Sequence, residues 1–94
     1  MDILGHISNW NTRLITDMSY LFKNKKSFNK PLYWNTSNVI NMKAMFYGNN
    51  NLNNIIVFDT KNVIDMSFMF YKCYNFNQHL KLYNYKNKNL VMKL

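Results

Sequence analysis

One cysteine, one proline, two glycines and four acidic residues are all that this 94-residue chain holds of those types, and each shortage closes off a class of protein. Cys73 alone can form neither an intrachain disulfide nor a cysteine metal cluster. Gly5 and Gly48 are too few and too far apart for a phosphate-cradling loop. No apolar run reaches the length of a membrane span. The start, MDILGHISNWNT, lacks a basic stretch followed by an apolar run of roughly 7 to 15 residues, so no export signal is expected.

What is present is apolar and aromatic. Hydrophobic residues make up 48% of the chain and aromatics 17%, with seven each of Phe, Tyr and Met. A single domain of this length sits near the size at which one core barely offsets the entropy of folding, so the apolar residues must be buried efficiently. Twelve basic residues against four acidic ones give a net charge of +8. That balance suits an anionic partner such as nucleic acid, a membrane surface or an acidic protein. Uncharged Asn is also abundant, so A/T-rich codon usage accounts for the same composition without selection for binding.

Internal periodicity is the organising signal. WNTRLITDMSYLF begins at Trp10, WNTSNVINMKAMF at Trp34 and FDTKNVIDMSFMF at Phe58, each 24 residues after the last. The same spacing aligns Thr12, Thr36 and Thr60; Ile15, Val39 and Val63; Met18, Met42 and Met66; Phe22, Phe46 and Phe70; and Phe28, Leu52 and Phe76. It also aligns Asn29, Asn53 and Asn77, which could form a ladder of amides satisfying backbone groups in the turns. Repeats at 10–33, 34–57 and 58–81 are expected between an atypical cap at 1–9 and a degenerate unit at 82–94.

Residues 38–42 and their equivalents 14–18 and 62–66 alternate as a short strand would. Lys43 to Tyr47 carry helix formers and predict one helical turn, with Asp17, Asn41 and Asp65 placed to accept N–H groups where each turn begins. A second short strand is expected through Phe28, Leu52 and Phe76 toward the next Trp or Phe. The predicted fold class is an α/β repeat solenoid, leucine-rich-repeat-like, in which short parallel strands and one helical turn per coil stack at roughly the 4.8 Å spacing of a sheet. The predicted core is Trp10, Met18, Phe22, Phe28, Trp34, Met42, Phe46, Leu52, Phe58, Met66, Phe70 and Phe76.

The units WNTSNVINMKAMFYGNNNLNNI and FDTKNVIDMSFMFYKCYNFNQHL resemble the BspA-like repeat of mycoplasma surface lipoproteins, in which W-D-T-S-N-V-T-D-M-S-x-M-F is followed by S-F-N-Q-P. The likeness covers most of residues 7–80. It implies a leucine-rich-repeat-like module for adhesion or protein interaction, with no cofactor and no catalytic residues. Similar repeats occur in eukaryotic microbes and in giant DNA viruses. Against the surface-protein pattern this chain is short, strongly basic and without a lipid-attachment cysteine near its start. An intracellular or virion-associated place is therefore expected, with the microbial cell surface as the alternative.

Little in the sequence points to chemistry. Asp17 and Asp65 occupy equivalent positions with Asn41 between them and have no histidine to separate their pKa values. His6 and His79 fall at different positions of the period and cannot share a metal. Cys73 stands where Lys25 and Asn49 stand, with no base or orienting group. Lys23, Lys25, Lys26 and Lys30 cluster early, and Lys81, Lys86, Lys88 and Lys93 late, without aligning from unit to unit as a phosphate-tracking face should. Lys23, Lys25, Lys26, Lys81, Lys86 and Lys88 are the candidate basic contacts.

The expected function is a non-catalytic structural or protein–protein interaction module, a component of a larger assembly such as a giant-virus particle. A basic nucleic-acid-associated protein and a surface adhesin fragment are the alternatives. Expected partners are other proteins in an assembly or further copies of the chain, since apolar end faces and open edges would otherwise be left uncovered. No enzymatic activity, metal or cofactor is expected, nor membrane insertion.

Overall fold

The computed structural model describes residues 7–78 and 80–85. Two short strands, β1 (Ile56–Asp59) and β2 (Leu80–Tyr83), pair in parallel with Ile56 beside Leu80 and Phe58 beside Leu82. Alternation decides their faces: Ile56 and Phe58 are buried, while Val57 and Asp59 are half-buried. A single turn of 3₁₀ helix spans Ile7–Asn9. The remainder is a succession of tight turns packed around one core.

The α/β leucine-rich-repeat-like solenoid expected from the sequence is not what the chain forms. Among the described residues there is one two-stranded parallel sheet and no α-helix, in a small body with a radius of gyration of 12.3 Å. The expected strands at 14–18, 38–42 and 62–66 are reduced to single bridges, Asp17 with Asn41 and Asn41 with Asp65. The expected helical turn at Lys43–Tyr47 is excluded by its own backbone, because Ala44 sits at φ 54°, far from the −63° or so of an α-helix. Tyr20 and Phe68, the equivalents of Ala44, take the same left-handed conformation at 60° and 58°.

The physical reason lies in where the N–H groups go. A helix would send them back four residues along the chain. Instead the N–H groups of Met18, Tyr20, Phe22 and Asn24 donate to the carbonyls of Asn41, Lys43, Met45 and Tyr47 at 2.8–2.9 Å. The N–H groups of Met42, Ala44, Phe46 and Gly48 donate likewise to Asp65, Ser67, Met69 and Tyr71, all at 2.9 Å. The groups between them close local turns, such as Leu21 to Met18 and Tyr47 to Ala44. Gly48, at φ 73°, also lies where a β-carbon would fall 2.1 Å from Asn24 Oδ1.

Side chains reinforce these contacts. Asn29 Oδ1 accepts from Asn53 N–H, and Asn53 Oδ1 from Asn77 N–H, both at 2.9 Å, so the amide ladder is present and each oxygen satisfies a turn donor. The Asp17, Asn41 and Asp65 side chains accept the N–H two residues ahead, at Ser19, Lys43 and Ser67. The buried hydroxyls of Thr12, Thr36 and Thr60 donate to the carbonyls of Asn35, Asp59 and Tyr83, so none of the three is stranded in the apolar interior.

The core contains a row of rings. Phe22, Phe46 and Phe70 stack at centroid distances of 5.5 and 5.2 Å, and Phe76 closes on Phe70 at 4.8 Å. Of the predicted core residues, Met18, Phe22, Trp34, Met42, Phe46, Leu52, Phe58, Met66, Phe70 and Phe76 are buried. Trp10 is not: it is 44% exposed. Phe28 is only half-buried, although its ring stacks on Phe22 at 4.1 Å. Both lie at the N-terminal end of the described residues.

Candidate functional site

The departures of Trp10 and Phe28 from the predicted core belong to a wider pattern. At three apolar positions, those of Trp10, Ile15 and Leu21, the member nearest the N-terminus is exposed and its equivalents are buried or nearly so, whereas Met18 and Phe22 are buried like theirs. Ile15 is 43% exposed, whereas Val39 and Val63 are at 0% and 2%; Leu21 is 44% exposed, whereas Met45 and Met69 are at 0%. The residue types are nearly constant along each position, so the difference arises from what lies on top. Residues 18–24 lie along residues 41–47 through backbone bonds, and among the described residues only Ile7 packs on the core from the N-terminal side. The resulting end face carries two adjoining hollows, of about 430 and 250 Å³, that share Trp10, Leu21 and Trp34. Lys25 and Lys30 stand at its rim.

The backbone of this face is polarised. In residues 18–24 the alternate N–H groups point toward residues 41–47, so the alternate carbonyls point the other way, outward. Among the described residues nothing donates to the carbonyls of Asp17, Ser19, Leu21 or Lys23, whereas the equivalent carbonyls of Asn41, Lys43, Met45 and Tyr47 each accept one N–H. The end face is thus an apolar surface edged by the carbonyls of Asp17, Ser19, Leu21 and Lys23 and by the N–H of Thr16, whose equivalents Ile40 and Ile64 donate to the preceding segment. Such a combination is what one polypeptide segment offers another.

The basic residues do not converge. Lys23 lies over the rings of Tyr20 and Tyr47 at 5.5 and 5.1 Å, and Lys72 over Tyr71 at 5.5 Å, with Tyr47 and Tyr71 packed at 5.0 Å. Cation–π contacts of this kind hold the ammonium groups against the protein's own surface. Lys25 faces the end surface, Lys26 is exposed in the following turn, and Lys81 lies on β2 beside Tyr33, Ile55 and Val57. Lys86 and Lys88 lie outside the described residues, as do His6 and His79.

The groups with chemical potential have structural employment. Cys73 is fully buried and donates its thiol to Phe46 O at 3.0 Å; burial pushes its pKa up to about 11, against a smaller lowering from the Asn49 backbone. A thiol so placed is the opposite of an activated nucleophile. Asp17 and Asp65 are held below the ordinary carboxylate range, Asp17 chiefly by the Ser19 hydroxyl and Asp65 chiefly by the Ser67 N–H. Among the described residues no three His, Cys, Asp or Glu side chains gather where they could hold a metal, and no helix is long and apolar enough to cross a membrane.

Sequence reasoning missed part of this. Asn11, Asn35 and Asp59 each accept the N–H two residues ahead, and the Asn38 and Asn62 amides donate to Arg13 O and Ser37 O at 2.6 Å. The signal was the recurrence of Asn or Asp at fixed positions of the 24-residue spacing, read only in part.

Comparison with known families agrees on kinship and is silent on activity. Residues 2–93 match the family described as Mycoplasma protein of unknown function, DUF285, and the chain belongs to that family. Neither the curated proteins nor the solved structures gave a match.

Proposed function

We propose that this chain is a non-catalytic protein–protein interaction module, built into a larger assembly through its N-terminal end face, and that its family is of the BspA-like repeat kind. One observation carries the reading: Trp10, Ile15 and Leu21 are each more than two-fifths exposed, while their equivalents one segment later are buried. Large apolar side chains clustered on one end of a small protein are costly to leave in water, by roughly 25 cal/mol per Å². Clusters of this kind are the usual centre of a protein interface. The inert Cys73 and the turn-capping roles of Asp17 and Asp65 support the absence of catalysis from the proposal.

The reading as a basic nucleic-acid-associated protein rests on charge alone. Lys23 and Lys72 are engaged with tyrosine rings, and Lys25, Lys26 and Lys81 face different ways, so no single basic track favours it.

A photo-crosslinking residue at position 21 tests the interaction reading in producing cells, with position 61 as the exposed control. Protein adducts at position 21 well above those at position 61 are expected. Equal labelling, or none at position 21, would remove the end face as an interaction surface.

A further inference from the structure

Among the described residues, Asn49 is the buried side chain whose polar atoms find no protein partner. It is fully buried, and neither its Oδ1 nor its Nδ2 bonds to another described group. An amide in an apolar interior forfeits the bonds it made in solvent. Buried polar atoms are therefore, as a rule, satisfied by protein or by ordered water.

The equivalent positions show what the Asn49 side chain faces. At the 24-residue spacing it stands between Lys25 and Cys73. The backbone N–H groups of all three donate to the carbonyls three residues back, those of Phe22, Phe46 and Phe70. The Cys73 thiol then crosses to the preceding segment and donates to Phe46 O at 3.0 Å. Moved back one spacing, the same step leads from the Asn49 side chain to Phe22 O. Among the described residues that carbonyl accepts the Lys25 N–H at 3.1 Å and nothing else, so one lone pair is free. The Asn49 amide does not bond to it directly. Lys25 meets no such difficulty, because its side chain is exposed.

We propose that Asn49 is an internal water-binding site, in which one water accepts from Nδ2 and donates to Phe22 O; the site stands independently of the interaction reading above. A donor in register with a carbonyl but not bonded to it is what a bridging water joins. An anion would face the Phe22 carbonyl and a cation the Nδ2 protons, whereas water both accepts and donates. Buried waters sit at such otherwise unsatisfied polar groups. Phe22 and Lys25 also line the larger hollow of the end face, which gives the water a short way in.

Two measurements on the full chain test this. In nuclear Overhauser spectra the Asn49 side-chain amide protons should show a cross-peak to water, with the sign of a molecule that tumbles with the protein. Solvent relaxation dispersion should then count one long-lived water fewer in Asn49→Cys, whose thiol reaches Phe22 O directly as Cys73 reaches Phe46 O. Asn49→Leu, apolar at the same place, should lose the same water. No cross-peak to water, or equal numbers of long-lived waters in the unmodified chain and both variants, would overturn the site. So would a scalar coupling from Nδ2 to the Phe22 carbonyl carbon, which reports a direct bond with no water between.

Discussion

Phe46 is the middle ring of the stacked row, and its removal gives the sharpest test of how the core is held. Its side chain is fully buried, with Phe22 at 5.5 Å on one side, Phe70 at 5.2 Å on the other, and Phe58 at 6.4 Å. Replacing a buried Phe by Ala costs about 3–5 kcal/mol, combining lost transfer energy with the cavity left behind. The upper end applies here, because stacked pairs add roughly 0.5–1.5 kcal/mol each beyond burial and Phe46 loses two of them. A chain of this length has a total stability of about 5–14 kcal/mol, so Phe46→Ala consumes a large share of it. Phe22 also stacks on two rings, Phe28 and Phe46 at 4.1 and 5.5 Å, but it borders the open end and retains 7% exposure, so the site collapses more readily and Phe22→Ala should cost less than Phe46→Ala. Urea unfolding followed by circular dichroism measures both. With a slope of about 1–3 kcal/mol per molar urea, Phe46→Ala should lower the midpoint by ~2 M. Equal midpoints for the two variants, or a loss below ~2 kcal/mol for Phe46→Ala, would refute the stacked row as a source of stability.

Further outcomes follow from single sites. The Asn49 amide is fully buried, and neither its nitrogen nor its oxygen has a partner among the described residues; its equivalent Cys73 satisfies its thiol on Phe46 O. Asn49→Cys should therefore raise stability by ~1 kcal/mol, read as a higher urea midpoint. The Cys73 thiol should resist Ellman's reagent at pH 8 in the folded chain and react on addition of denaturant. Because its folded pKa is raised to about 11 from 9.0, its contribution to stability is present below the unfolded value and is lost as pH climbs from 9 toward 11; Cys73→Ala should flatten that alkaline limb. Asp65 is shifted the other way, with its folded pKa below the ordinary 3.8, so its contribution is present above that value and is lost as pH falls through it. Asp65→Ala should cost ~0.5–1 kcal/mol at neutral pH and flatten the acid limb, while Asp65→Asn, which keeps the side-chain oxygen as Asn41 does, should restore most of the neutral-pH loss.

The sequence by itself determined which residues meet. The aromatic, Met, Thr and Asn positions recur at one spacing, and those same residues are joined in the folded chain: Phe22 to Phe46 to Phe70, and Asn29 to Asn53 to Asn77. It also carried the membership of the chain in its family, since the match spans residues 2–93.

What the spacing could not convey was the backbone between those positions. Lys43 to Tyr47 contain good helix formers, yet Ala44 and its equivalents adopt positive φ, because turning each alternate N–H toward a neighbouring segment gains inter-segment bonds that a lone helical turn cannot supply. Helix propensity differs by less than about 1 kcal/mol per residue among ordinary side chains, and a row of buried hydrogen bonds with its stacked rings outweighs it. The same tertiary choice made the end face. Trp10, Ile15 and Leu21 resemble in the sequence the core residues they align with; only the tertiary structure shows which member of each set is exposed, and toward which end the carbonyls of residues 17–23 point.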